Sequence, residues 1–150
     1  MFSQLITKGF QIELRHHAEA ILNHDMASVE SEIEEVLKGL RIPVQELVES
    51  GGGETKGTQR MRRRFADKWG WRTHVFVVQR TVDGTETESK THKIDHVKKF
   101  AAGVCALEIE WNNKDPFFDR DLENFKRLHA DGAISVGIIV TRGSSLQACL

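Results

Sequence analysis

Three acidic side chains, Asp95, Glu108 and Glu110, have the residue type and spacing of a divalent-cation site. Side chains alternate across a β-strand, so the two glutamates share one face of the strand predicted over residues 104–111, about 7 Å apart. That strand is otherwise apolar, and burying an ionised carboxylate costs on the order of several kcal/mol unless a positive charge compensates. Hard oxygen ligands suit Mg²⁺ and Mn²⁺, and such an ion activates a coordinated water and neutralises charge on a phosphate.

The same pair of glutamates has a plainer interpretation, as a solvated strand face paired with Lys90 or Lys93 on a neighbouring strand. Alternate acids occur by chance in many strands, so spacing alone does not separate the two interpretations. The sequence predicts that Asp95 ends the preceding strand and that residues 96–103 form a turn. If the two strands pair, Asp95 lies beside Glu108 and the two can hold one ion.

The composition, 39% hydrophobic and 29% charged residues, predicts one ordinary globular domain over residues 1–150. No apolar run approaches the roughly 18 residues that cross a membrane, and the N-terminus lacks the pattern of a secretory leader. We therefore expect no association with a membrane. Cys105 and Cys149 lack the spacing of metal ligands, so a reducing cytoplasm is the expected location. The formal net charge of −1 means that only local basic clusters can attract nucleic acid.

Hydrophobic periodicity predicts the order α, α, α, β, β, β, α, β, over residues 11–23, 29–40, 58–69, 73–82, 85–95, 104–111, 118–130 and 134–141. Asp83-Gly84 is a tight-turn signal between the first two strands. On the last helix, Phe118, Leu122 and Phe125 are predicted to form the buried face. Residues 104–141 form a β-α-β unit with parallel strands, so we expect an α/β fold with a mixed sheet flanked by helices.

A more specific pattern lies in Ile94-Asp95 and in the stretch from Val104 to Leu122, which reads VCALEIEWNNKDPFFDRDL. It resembles the "ID … (V/L)E(V/I/F)(Q/E)(W/F)" core of type II restriction endonucleases of the Bgl/Bam group, within the PD-(D/E)XK nuclease superfamily. The resemblance extends over about residues 16–143, and the motif order agrees with the restriction-endonuclease-like αβββαβ core.

By this resemblance Asp95 matches the first metal-binding aspartate and Glu108 the second acid. Glu110 matches a position that holds lysine in most of the superfamily and Gln or Glu in this group. A carboxylate there implies activation of the attacking water, or a second ion, rather than cationic stabilisation. The implied function is hydrolysis of phosphodiesters in double-stranded DNA at a specific palindrome, by a homodimer that uses Mg²⁺, for which Mn²⁺ substitutes.

Basic residues near these motifs are candidates for contacts with DNA phosphates. Arg62, Arg63 and Arg64 form a run on the third predicted helix, and Lys114 follows the acidic strand. A run of arginines on a helix is more often a solvated face, and an ion pair of Lys114 with Asp115 or Asp119 is as plain an interpretation as a phosphate contact.

Two further expectations follow from the comparison with the Bgl/Bam group. Its members continue past the last strand with more sheet and helix, so we expect the chain, which stops at Leu150, to be a truncated or minimal member. The alternative function is a DNA-binding module that keeps the nuclease fold in a degenerate form and has no turnover.

Overall fold

The computed structural model describes residues 1–43, 45–46, 55–91, 93–110, 115–141 and 143, and for residues 115–118 the main chain alone. Its helices and strands are, in chain order, α1 (Ser3–Thr7), α2 (Ala18–His24), α3 (Ser28–Lys38), α4 (Lys56–Trp69), β1 (Arg72–His74), β2 (Val77–Val82), β3 (Thr85–Lys90), β4 (Ile94–Phe100), β5 (Gly103–Glu110), α5 (Asp115–Ala130) and β6 (Val136–Thr141). Within the described residues, no helix has the length and apolar character needed to cross a membrane.

The chain divides into two compact units. The first comprises Met1–Trp71 with the C-terminal residues from Thr141, and the second is Arg72–Val140. The first contains helices α1 to α4, and the second contains the strands and α5. All three predicted acids lie in the second unit.

Helices α3 and α4 bury apolar stripes at helical spacing, as the sequence predicts. The stripe on α3 consists of Val29, Ile33, Val36 and Leu37. Helix α4 begins where Thr55 Oγ1 accepts a hydrogen bond from the Thr58 amide at 3.1 Å, and it ends at Gly70, whose φ is 74°. The helices predicted over residues 29–40 and 58–69 are therefore confirmed.

A buried hydrogen bond links α3 to the residue that follows α4. The indole N–H of Trp71 donates to Glu32 Oε2 at 2.7 Å, and both side chains are 1% exposed. A buried carboxylate loses its hydration, and this bond offsets part of that cost.

The helix predicted over residues 11–23 is wrong in its first half. Helix α2 begins at Ala18, because His16 and His17 have φ of 50° and 65°. A right-handed helix cannot continue through left-handed residues. The spacing of Leu14 and Ala18 suggested a longer helix, but Leu14 is exposed.

A four-stranded mixed sheet in the order β1-β4-β5-β6 forms the second unit. Strand β4 pairs antiparallel with both β1 and β5. Strand β6 lies on the other side of β5, and just before it the Ser135 amide donates to the Val104 carbonyl at 2.8 Å. Because both residues stand at the beginnings of their strands, the chain returns through α5 to start β6 beside the start of β5. The predicted α/β class with a mixed sheet is confirmed.

The strands predicted up to Asp95 are divided in the structure at other positions than the sequence predicts. The strand predicted over 73–82 divides into β1 and β2, and β2 pairs with β3 in a separate two-stranded sheet. Asp83-Gly84 forms the predicted turn between them, with φ of 49° and 78°. The turn predicted over 96–103 is wrong: most of it belongs to β4, and the reversal is confined to Ala101-Ala102.

Helix α5 packs against β5 through a buried cluster that it shares with the sheet. This cluster consists of Phe76, Ile94, Val97, Ala106, Phe125, Leu128 and Ile134. The predicted buried face of α5 is wrong at Leu122, which is 52% exposed. Phe125 is buried as predicted. The neighbouring Asp121 is buried in place of Leu122, because the inward stripe runs through Asp121, Phe125 and Leu128.

Candidate active site

The hairpin of β4 and β5 brings Asp95 next to Glu108. The strand register pairs His96 with Leu107 and Val97 with Ala106, and one step further Asp95 stands opposite Glu108. Directly opposed residues of antiparallel strands have Cβ atoms about 5 Å apart. Consistent with this, the Asp95 amide donates to Glu108 Oε2 at 3.4 Å. Asp95 therefore lies near the beginning of β4, rather than at the end of a strand as predicted, and is still adjacent to Glu108.

Glu108 is buried among like charges. Its exposed fraction is 4%, whereas Asp95 is half-buried. Burial raises the pKa of Glu108 to about 8, and the charges of Asp95, Asp121 and, to a smaller extent, Glu110 add to the rise. The hydrogen bond from the Asp95 amide acts in the opposite direction. A carboxyl group in this environment binds a proton, or a cation, more readily than an exposed one.

Glu110 stands two residues further along β5, on the same face as Glu108 and half-buried. The strand face also holds Ala106, which belongs to the buried cluster under α5. The acids therefore continue the apolar surface that α5 covers.

The alternative interpretation, a solvated face paired with lysines, does not describe Glu108. Its burial is incompatible with a solvated position. Lys90 lies on β3, in the separate two-stranded sheet, and pairs with Glu88 at 3.1 Å. Lys93 is exposed and precedes β4.

Asp121 is an acid near the site that the sequence analysis missed. It lies on α5 with 0% exposure, and its charge contributes to the raised pKa of Glu108. The Arg120 guanidinium donates to Asp121 Oδ1 from Nε at 3.0 Å. The available signal was its helical spacing with Phe125 and Leu128, which places an aspartate on an apolar stripe.

The donor set fits a hard divalent cation, because carboxylate oxygens are the ligands that Mg²⁺ and Mn²⁺ prefer. Asp95 and Glu108 are adjacent, and the charge of Asp95 opposes ionisation of Glu108. Over the described part of the chain, however, no group of three or more His, Cys, Asp or Glu side chains is close enough to hold a metal ion. The candidate ligands are therefore a pair of carboxylates.

The predicted DNA-contacting residues fall in different places. Lys114 lies outside the described residues. Arg63 and Arg64 are exposed on α4, and Arg62 is half-buried there. Their neighbour Arg60 is engaged with Glu46 through two hydrogen bonds of 3.0 Å, which raise its pKa. Of the arginine run on α4, Arg63 and Arg64 have the exposure that a phosphate contact requires.

Comparison with known proteins identifies the family. The family model described as restriction endonuclease BglII/BglIII matches residues 10–150, nearly the whole chain. No curated protein and no solved structure gives a significant match. Restriction endonucleases of this family generally need a divalent metal. The match spans both compact units, including the strands that position Asp95 and Glu108. The chain belongs to the BglII/BglIII family of restriction endonucleases and is a type II site-specific deoxyribonuclease, a hydrolase that acts on DNA.

Proposed function

We propose that this restriction endonuclease cuts double-stranded DNA at a palindromic site as a homodimer, with Mg²⁺ held by Asp95 and Glu108. The observation that carries the proposal is the buried Glu108 directly beside Asp95 on paired strands. Two adjacent carboxylates, one of them almost fully buried, are destabilising unless a cation or a proton compensates. A palindrome requires the same protein surface twice, and a two-fold dimer provides it.

The side chains divide the chemistry between them. Asp95 and Glu108 hold the cation, which when bound neutralises charge on the phosphate and lowers the pKa of a coordinated water. Glu110, half-buried on the same strand face, accepts the proton of the attacking water at a carboxylate oxygen. The water oxygen bonds to phosphorus, the bond from phosphorus to the bridging ester oxygen breaks, and the leaving oxygen takes a proton from solvent.

Contacts with the DNA backbone are assigned to Arg63 and Arg64, and further contacts to Arg62 and to Lys114. Each neutralised phosphate releases counterions, so loss of one contact lowers the salt dependence of binding. We expect Arg63→Gln and Arg64→Gln each to weaken duplex binding and to reduce the slope of log K against log salt by about one. Lys68→Gln is the matched control, because Lys68 lies on the same helix but is paired with Glu35.

The experiment is digestion of plasmid DNA of mixed sequence, with end-sequencing of the fragments. With Mg²⁺ or Mn²⁺ the protein is expected to give discrete bands whose ends share one palindrome. Asp95→Asn and Glu108→Gln should each lower the rate by more than about a hundredfold, since even outer partners of a metal cost up to that much. Glu123→Gln, an exposed acid on α5, should cut normally. Sedimentation analysis then tests the dimer.

A second candidate, a DNA-binding module without turnover, is favoured by the lack of a three-residue metal cluster among the described side chains. It predicts salt-dependent binding of duplex DNA, no cleavage with either metal, and no effect of Glu108→Ala on binding. Circular dichroism shows whether a protein that fails to cut is folded. A folded protein that binds DNA, and never cuts it, would overturn the proposed nuclease mechanism.

A further inference from the structure

Asp121 is a fully buried acid whose position needs explanation. Aspartate is almost never fully buried unless it is paired, and this one is 0% exposed. Arg120 contacts it through Nε and through a second guanidinium nitrogen, 3.0 and 2.9 Å from Oδ1. The arginine itself is about half exposed, so its charge is partly screened by solvent.

The direction of α5 places Asp121 level with the two acids of the hairpin. The helix follows β5 and returns alongside it, because Ser135 just beyond the helix bonds to Val104 at the start of β5. Phe125 and Leu128 share one buried cluster with Ala106. From Phe125 back to Asp121 the helix rises about 6 Å, and from Ala106 forward to Glu108 the strand advances about 6.6 Å. The two steps match in length and direction.

Electrostatics agrees with this geometry. The charge of Asp121 acts on Glu108 in the same sense as that of Asp95, by opposing ionisation. Successive turns of α5 thus cover different parts of the strand face. Phe125 and Leu128 cover its apolar part, and Asp121, on the same helical stripe, lies over its acidic part. A negative charge held there in a low-dielectric environment attracts a divalent cation more strongly than it would in water.

We propose that Asp121 is a positioning residue of the metal site, which raises the affinity of Asp95 and Glu108 for the divalent cation through its charge. This inference rests on the proposed metal-dependent function. Asp121 is not assigned as a ligand, since the described side chains contain no three-residue cluster. Arg120 has the opposite effect, because its positive charge offsets part of the field of Asp121.

The test is Mn²⁺ binding to the full-length, DNA-free protein at pH 8, measured by calorimetry. Asp121→Asn is expected to weaken binding about tenfold, the lower range for partners outside the ligand set. Arg120→Gln is expected to tighten it several-fold. Glu123→Gln removes the same charge from an exposed position of the same helix, 3.6 Å from Lys126, and should leave binding within about twofold of wild type. Thermal unfolding of each variant accompanies the titration.

Asp121→Asn and Arg120→Gln are expected to change Mn²⁺ affinity in opposite directions, and this difference separates an electrostatic role of Asp121 from a structural one. If the ion pair only stabilises α5, both variants lower the unfolding temperature and neither changes Mn²⁺ affinity, which overturns the inference. That outcome leaves the proposed function intact, provided that Asp95→Asn still abolishes binding. If wild type binds no Mn²⁺, the proposed metal-dependent function fails, and the inference fails with it. Should Asp121→Asn not fold, unchanged or weaker binding by Arg120→Gln still overturns the inference.

Discussion

The raised pKa of Glu108 predicts how the stability of the metal-free enzyme depends on pH. In the folded protein burial and Asp95 raise this pKa to about 8, from 4.5 in the unfolded chain. Between these two values the folded state keeps a proton that the unfolded state has lost. The free energy of unfolding therefore falls as the pH rises through this window, and the contribution of Glu108 is fully present only below about pH 4.5.

The size of the effect follows from the shift. Each pKa unit corresponds to about 1.4 kcal/mol, so the contribution of Glu108 falls by about 3 kcal/mol between pH 5 and pH 8. Glutamine has nearly the same size and cannot ionise. We expect Glu108→Gln to be about as stable as wild type at pH 5, within about 1 kcal/mol, and more stable than wild type by up to about 3 kcal/mol at pH 8.

The measurement is urea unfolding at pH 5, 6.5 and 8 with a chelator present, followed by tryptophan fluorescence. Other titrating groups are common to both proteins, so they cancel in the difference between wild type and variant. Glu123→Gln, on the exposed side of α5, is the control and should follow wild type at each pH. Adding Mn²⁺ at pH 8 should stabilise wild type more than Glu108→Gln, because the ion binds the folded carboxylates. Parallel pH dependences of wild type and Glu108→Gln would refute the reasoning.

Three further substitutions test the packing that positions the site, each by urea unfolding. Trp71→Phe removes the donor to buried Glu32 Oε2 and should cost about 1–3 kcal/mol; a neutral result would mean that the carboxylate is solvated in the variant. Gly137→Ala places a Cβ 2.6 Å from a ring carbon of Phe125, and the resulting overpacking should cost about 1–3 kcal/mol, whereas a wild-type midpoint would show that the ring moves freely. Gly132→Ala meets no steric contact but imposes φ of 69° on alanine, so a loss of about 1 kcal/mol without any change in cleavage is expected.

The elements that depend on local periodicity could be predicted from the sequence. The buried stripes of α3 and α4, the Asp83-Gly84 turn and the apolar strand β5 all follow from residue spacing within one element. The end of the strand that contains Asp95 could not be predicted, because Lys98 and Lys99 suggest a solvated turn. His96 and Val97, which lie between Asp95 and these lysines, are nevertheless buried. Pairing with β5 extends β4 to Phe100. Tertiary pairing overrides the local preference there.

The side of α5 that faces the sheet shows why Asp121 could not be predicted from the sequence. Hydrophobicity favours Leu122 for the buried face and excludes Asp121, yet the structure exposes the leucine and buries the aspartate. Phe125 is buried as predicted, but adjacent residues on a helix are about 100° apart, so Leu122 and Asp121 cannot both lie on the buried face. The choice depends on a charge distribution that belongs to no single element: Arg120 beside Asp121 on the helix, and Asp95 with Glu108 on the strands that it covers. An apolar stripe interrupted by an acid is therefore the place where a single-sequence analysis should expect a functional residue, since burying an ionised aspartate is costly unless a positive charge compensates.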